Sequence, residues 1–327
     1  MTNPKRVLGV GAPIVDLLVH VDDAFLSGLN GGKGGMVLVS STELNTILAQ
    51  SGKQAEQVAG GSAGNTIFGL ANLGVPTSFL GKVGKDVTGE FYTKRLAEFG
   101  GETRNFRYSS EVYTGRCLCL VTPDSQRTMR TDLGAAATIA AADVTPDVFR
   151  DISHVHLEGY AMANTEFFFQ VLRLAKRAGC VISLDLASYE VVKAIKTKLP
   201  EILPLVDIVF ANEDEAEAFS GFSAPEDQVK KLQFFCKTAV VKLGSKGCCV
   251  MDHGRPVMVP TTPVKAVDTT GAGDLWQAGF LYGLLQGRGV VDCARMGAVL
   301  GAEVVQVIGA EIPAARWPDV KAKLAEI

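Results

Sequence analysis

Short apolar runs alternate with amphipathic segments along most of this chain, and the amphipathic segments tend to stop at a glycine. No other feature narrows the fold as far. RVLGVGA (6–12), TSFLGKVG (77–84), HVHLEGY (154–160), CVISLDL (180–186) and DIVFAN (207–212) read as buried strands. Between them, SAGNTIFGLANLG (62–74), DVTGEFYTKRLAEFG (86–100) and NTEFFFQVLRLAKRAG (164–179) have helical spacing and glycine ends. In the second of these Phe91, Leu96 and Phe99 are expected inward. EDEAEAFSG (213–221) begins a helix with acids in its first turn, where the dipole favours them. TAVVKLGSKGCCVMD (238–252) reads as two strands joined at a glycine turn, and 270–287 and 290–309 as the last two helices. Such alternation implies a mostly parallel sheet with helices on both faces.

Two stretches break the rhythm. Residues 15–40 combine alternating apolar residues with a glycine-rich turn. Residues 104–132 look like a hairpin, YTGRCLCLVT and QRTMRT around a turn at Pro123–Asp124–Ser125. Together they suit a small β element laid over the main sheet. The whole chain, 1–327, then reads as one α/β domain with a β lid built from about 15–40 and 104–132.

Composition excludes several classes. Basic and acidic residues are interspersed and leave a net charge of −3, so there is no basic stripe for nucleic acid. No apolar run approaches a membrane span, and the N-terminus enters a strand without a signal-peptide pattern. A cytoplasmic location is the expectation. Seven cysteines at irregular spacings, with no CxxC pair and four scattered histidines, point to buried thiols in a reducing compartment.

The segment with most chemistry in it is Asp268-Thr-Thr-Gly-Ala-Gly-Asp274. Small residues stand directly before a helical pattern, where backbone N–H groups lack intrahelical partners. Gly271, Ala272 and Gly273 would let a phosphate approach those groups, with the helix dipole favouring its charge. Asp274 would stand beside it, able to take the proton of an attacking hydroxyl. Spacing alone leaves an ordinary glycine turn followed by a first-turn acid equally open. GLNGGKGG (28–35) lacks the Ser or Thr of a P-loop, and GVGAPI (9–14) lacks the third glycine of a dinucleotide fingerprint.

DTTGAGDLWQAGFLYGLLQG resembles the C-terminal signature of the ribokinase-like (PfkB) family of carbohydrate and nucleoside kinases. GGSAGN (60–65) with GKVGKDVTGE (81–90) resembles its first signature, NEDE (212–215) its N-x-x-E motif, and VVKLGSKG (240–247) its nucleotide strand. These matches come in the family's order and cover nearly the whole chain. The resemblance implies a ribokinase-like three-layer α/β sandwich with a small β-sheet lid. It also implies transfer of the γ-phosphate of ATP to a hydroxyl of a small sugar or nucleoside. A catalytically idle relative that binds such a ligand as a sensor is the alternative.

Residue by residue, the resemblance makes Asp274 the base and Gly271, Ala272, Gly273 with the Asp274 amide the anion hole. It gives substrate hydroxyls to Asp16, Gly60, Gly61 and Asn65, and the nucleotide to Asn212, Lys242, Gly244 and Gly247. Glu215 would help hold Mg²⁺ through water, and Asp268 and Thr270 match a monovalent-cation (K⁺) site of some members. Each has a plain rival: a turn-capping Asp16, a glycine turn with Ser62 as helix cap, an exposed Asn65, a first-turn Glu215. Lys242 departs from the usual Thr or Ser and either supplies charge or turns away. Trp276 is expected to pack, and GAVLGAEVV (297–305) suits either a flat adenine or tight helix packing.

The long 15–40 stretch resembles the adenosine-kinase-like branch. Met36, Leu38, Cys117 and Leu118 then either hold a base or only pack the small sheet against the large one, while Arg116, Arg127 and Arg130 offer charge for an acidic or phosphorylated sugar. The expected partners are the small substrate and ATP, with no nucleic acid or membrane, in a monomer or a lid-mediated homodimer.

Overall fold

The computed structural model describes residues 6–124 and 126–327; residues 1–5 and Ser125, the last residue of the expected hairpin turn, lie outside it. An eight-stranded sheet runs, edge to edge, through Arg255–Val259, Cys248–Asp252, Thr238–Lys242, Ile208–Asn212, Val181–Asp185, Ile152–Glu158, Arg6–Val10 and Thr77–Leu80. Six of these strands pair in parallel; Cys248–Asp252 runs antiparallel to both its neighbours, Thr238–Lys242 and the edge strand Arg255–Val259. The side-chain period of two divides the core cleanly. Val7, Phe210 and Val240 pack on one face with the helices Ser62–Asn72, Ala272–Leu285 and Val290–Val304. Leu8, Val155, Val209 and Val241 pack on the other, with Thr165–Arg177, Glu213–Ser220 and Pro225–Gln233. The result is the expected three-layer α/β sandwich.

A five-stranded sheet stands apart, in the order Met36–Leu38, Arg127–Gly134, Thr114–Val121, Val15–His20, Glu56–Ala59. The hairpin read from sequence is there, and Glu56–Ala59 is an unexpected edge strand. TSFLGKVG is not one strand. It breaks at Gly81, and Lys82–Gly84 pairs instead with Arg107–Ser109 in a two-stranded ribbon. In Val87–Glu98 the deeply buried residues are Tyr92 and Leu96; Phe91 and Phe99 are only half-buried. Among the described residues no helix is long and apolar enough to cross a membrane.

The helices Ala272–Leu285 and Val290–Val304 touch through glycine. A Cβ on Gly279 would come within 2.4 Å of the Met296 carbonyl oxygen, and one on Gly297 within 2.7 Å of the Trp276 ring. Both contacts are part of a close-packed core, and the first is with backbone, which cannot swing aside. Gly279→Ala is therefore expected to lower the unfolding free energy by about 1–3 kcal/mol, read from the urea midpoint.

Candidate active site

Four neighbouring parallel strands end in polar residues: Glu158, Asp185, Asn212 and Lys242 are each the last residue of their strand. Ligands in open α/β sheets gather outside such carboxyl ends. Into the same space points the start of the helix Ala272–Leu285, capped by Gly271 at φ +70°. A Cβ on Gly271 would strike Ala310 at 2.4 Å, so both conformation and space require glycine there. The Ala272 N–H is spent on Thr269 O (3.1 Å). Among the described residues no acceptor meets the N–H groups of Gly271, Gly273 or Asp274, which leaves three amides for an anion.

Asp274 is half-buried and held at both oxygens. Ser62 Oγ donates to Oδ1 and Asn65 Nδ2 to Oδ2, each at 2.8 Å. Ser62 and Asn65 are three apart on one helix and so share a face. Asn65 is buried, not the exposed residue of the plain reading, and Ser62 is not the cap; Gly61 is, at φ +83°. Burial pushes the Asp274 carboxyl up to about 6, Asn65 and Ser62 opposing and the Asp185 charge adding to it.

Asp16 does not lie at the exit of the first strand. The chain leaves the central sheet at Val10 and enters the small sheet at Val15, where Asp16 stands opposite Cys117. Gly60 brings backbone against the Asp16 carboxyl, where a Cβ would sit 2.8 Å away, and a Cβ on Gly61 would meet Ala12 O at 2.3 Å. The double glycine thus lets three chain segments converge. Burial raises Asp16 to about 6, against the pull of Arg127, whose Nη2 is 3.4 Å from Oδ2.

Lys242 is largely covered rather than turned to solvent, its side chain 13% exposed. Its Nζ lies 3.4 Å from Asp185 Oδ1 and directly beside Gly273, 3.1 Å from where a Cβ would stand. Burial disfavours its charge, but Asp185, Glu215 and Asp274 outweigh that and raise its pKa. Asp185 also accepts from Gln277 Nε2 at 2.7 Å. Asn212 and Glu215 form a reciprocal capping box, and burial, then the Asp185 charge, pushes Glu215 up to about 7. Next to this cluster is a cavity of about 320 Å³ lined by Gly244, Gly247, Gly273, Trp276, Ala298 and Gly301. Helix 290–304 packs tightly, Gly297 on Trp276, and its Ala298 and Gly301 line the cavity. Trp276 packs as expected, stacked on Phe280.

Register decides which lid-strand residues reach the cleft. Asp16 pairs Cys117, Cys117 pairs Thr131, Cys119 pairs Met129, and Met36 and Leu38 pair Met129 and Thr131. These share one face of the small sheet, with Leu18 and Arg127. Leu118 lies on the other face, within the core that includes Leu44, and is not a cleft residue. Arg116 and Arg130 lie there too, Arg130 donating to the carbonyls of Asn30 and Met129. Of the three arginines only Arg127 faces the cleft. Its side chain is 5% exposed, its Nη1 is 3.8 Å from Asp268 Oδ2, and among the described residues Nε and Nη1 have no hydrogen-bond acceptor.

Asp268 gives Oδ1 to the Thr270 N–H (2.9 Å) and hydroxyl (2.7 Å), and Oδ2 to the Gly309 N–H (2.8 Å). Sequence reasoning passed over Glu158, Asp185 and Gln277. Glu158 accepts from Ala12 N (2.8 Å) and Ala63 N (3.1 Å), and burial raises it to about 7. Its signal was a lone acid at the end of an apolar run, as in LEGY and LDLA.

The pfkB family carbohydrate kinase model matches residues 37–317. A probable sugar kinase from Rhizobium etli superposes with a TM-score of 0.89 at 31% identity, over 99% of this chain and 100% of that one. An adenosine kinase from Sinorhizobium meliloti does so at 0.88 and 30%, over 98% and 99%. A ribokinase from Arabidopsis thaliana is 30% identical over 84% of this chain and 73% of its own. With a family match spanning most of its length, this chain belongs to the pfkB family of carbohydrate kinases.

Proposed function

We propose that this protein transfers the γ-phosphate of ATP to a primary hydroxyl of a purine nucleoside, with Asp274 as the base. The observation that carries the transfer is one half-buried carboxylate, tethered by Ser62 and Asn65, at the start of a helix whose free amides face the same space. A carboxyl poised at about 6 is ionised at neutral pH yet basic enough to take a hydroxyl proton as the oxygen attacks phosphorus. Charge on the transferring group is met by the Gly271, Gly273 and Asp274 amides and by Lys242 from the sheet side. Ala272 contributes its small size, its N–H being spent on Thr269. The nucleotide lies in the cavity between Gly244, Gly247 and Gly301.

Hard oxygen donors suit Mg²⁺, and Glu215 and Asp185 are two buried carboxylates whose repulsion Lys242 helps to offset. They would hold it, Glu215 through water from its capping box with Asn212, and the ion would neutralise phosphate charge. Asp268 and Thr270 fit a monovalent cation poorly. Their side chains bind each other and Gly309, and Arg127 supplies positive charge 3.8 Å away. No step here uses such an ion.

The acceptor follows from the small sheet. Its cleft face sets Asp16, suited to vicinal hydroxyls, beside apolar Leu18, Met36, Leu38 and Met129. Met36 and Leu38 are 43% and 59% exposed. A ribose carrying a flat base fills both halves; a free sugar leaves the apolar half wet. The adenosine kinase relative supports this reading. With Mg²⁺ and ATP, kcat/KM for the best nucleoside is expected to exceed that for the best free sugar by about 100-fold or more. A sugar as the best acceptor refutes the nucleoside assignment, and tight binding without turnover of any acceptor supports the idle relative instead.

Asn65→Ala removes a hydrogen bond that holds the Asp274 carboxylate ionised. Its acid limb in the pH–rate profile is expected to move to higher pH, with kcat down about tenfold.

A further inference from the structure

We propose that Cys117, Cys119 and Asp16 form a site for a soft divalent cation of the zinc class, and that an ion bound there shuts the acceptor pocket. Closure of the pocket rests on Asp16 being an acceptor ligand, as proposed above. The three side chains place one ligand atom each within 4.8 Å of one another. They come together by register, since Cys117 and Cys119 are two apart on one strand and Asp16 is directly opposite Cys117 on the next.

The spacing fits a metal better than a disulfide. The two Sγ atoms are 3.6 Å apart, close to the roughly 3.8 Å edge of a tetrahedron with Zn–S bonds of ~2.3 Å. Residues two apart on an extended strand have Cα atoms about 6.6 Å apart, near the upper limit of roughly 6.8 Å for a disulfide. Thr131 Oγ1 donates to Cys117 Sγ at 3.2 Å, an outer-shell bond that favours the thiolate.

Charge closes as well. Two thiolates and the Asp16 carboxylate carry three negative charges, and a divalent ion with the Arg127 guanidinium carries three positive ones. A buried site of zero net charge avoids the penalty of an unpaired charge. Thiolates select soft ions over Mg²⁺, so the ion that assists ATP does not compete here. Both thiols are 4% exposed or less, but the Asp16 side chain is 16% exposed and opens to the cleft, which is the route of entry. The fourth coordination position then faces the space that an acceptor hydroxyl occupies.

The test is a Cd²⁺ titration of the full chain in Mg²⁺-containing buffer, following the sulfur-to-metal charge-transfer band. One Cd²⁺ per chain is expected, with the band lost in Cys119→Ser and the affinity lowered about tenfold or more by saturating adenosine. In the kinase assay micromolar Zn²⁺ is expected to raise the acceptor KM and leave the ATP KM unchanged. Should Cys119→Ser fail to fold, Asp16→Asn keeps both thiols and must weaken Cd²⁺ about tenfold. No binding at micromolar Cd²⁺, or a band unchanged in these variants, overturns the site. The band does not depend on turnover, so a protein that binds Cd²⁺ this way and phosphorylates no nucleoside refutes the acceptor reading instead.

Discussion

Asp274→Asn is expected to lower kcat by about three to four orders of magnitude while changing either KM by less than about threefold. The amide has the size of the carboxylate and can keep its contact with Asn65, but it cannot take a proton from the attacking hydroxyl. The same substitution is expected to stabilise the fold. Burial raises the Asp274 pKa from 3.8 to about 6, so the folded chain binds protons there more readily than the unfolded one. A raised carboxyl costs stability above its unfolded pKa, and this cost is full once pH exceeds the folded value. Two pKa units amount to roughly 3 kcal/mol at neutral pH, which the amide removes. Loss of activity with a gain in urea midpoint separates a chemical role for Asp274 from a merely structural one. A structural acid would lose both. In the wild type, kcat/KM is expected to fall as pH drops through about 6, where the base takes up its proton.

Lys242→Met has the second largest expected effect, a loss of about 3–5 kcal/mol in unfolding free energy at pH 8. Lys242 is the cation that three carboxylates share: Asp185 at 3.4 Å, with Glu215 and Asp274 near enough to raise its pKa. Methionine fills the space and leaves the acids facing one another. Glu215 and Asp274, already raised, rise further without it. The folded state then binds more protons than the unfolded one over a wider range, so the variant's stability falls as pH rises from about 6 to 8. Urea unfolding at the two pH values checks this. A variant within about 1 kcal/mol of wild type at pH 8 contradicts the shared-cation account.

Much of this was legible in the sequence because parallel strands buried on both faces leave uninterrupted apolar runs, and glycine marks where helices stop. The small-residue run before Asp274 was legible for the same reason, since few other residues permit Gly271's conformation against Ala310. Partners were harder. Glu158 and Asp185 are ordinary acids at strand ends until the sheet order sets them side by side. Leu118 and Arg130 fell on the wrong side of the lid reading because strand parity has no meaning before the register with a neighbour is known. Glu56–Ala59 is a half-exposed edge whose composition does not announce a strand. The helix Ser41–Ser51 did have a signal, Ser40 capping the Glu43 amide with Leu44 and Ile47 one turn on, which the glycine-rich turn before it obscured.

The central claim is that Asp274 takes the acceptor proton while phosphorus moves from ATP to a nucleoside hydroxyl. A single-turnover quench with γ-labelled ATP, Mg²⁺ and excess adenosine isolates that step from product release. Label is expected to appear in a nucleoside phosphomonoester with wild-type protein, at a rate at least about 1000-fold above that of Asp274→Asn. Label transferred equally fast by Asp274→Asn, or reaching no organic hydroxyl at all, would contradict it.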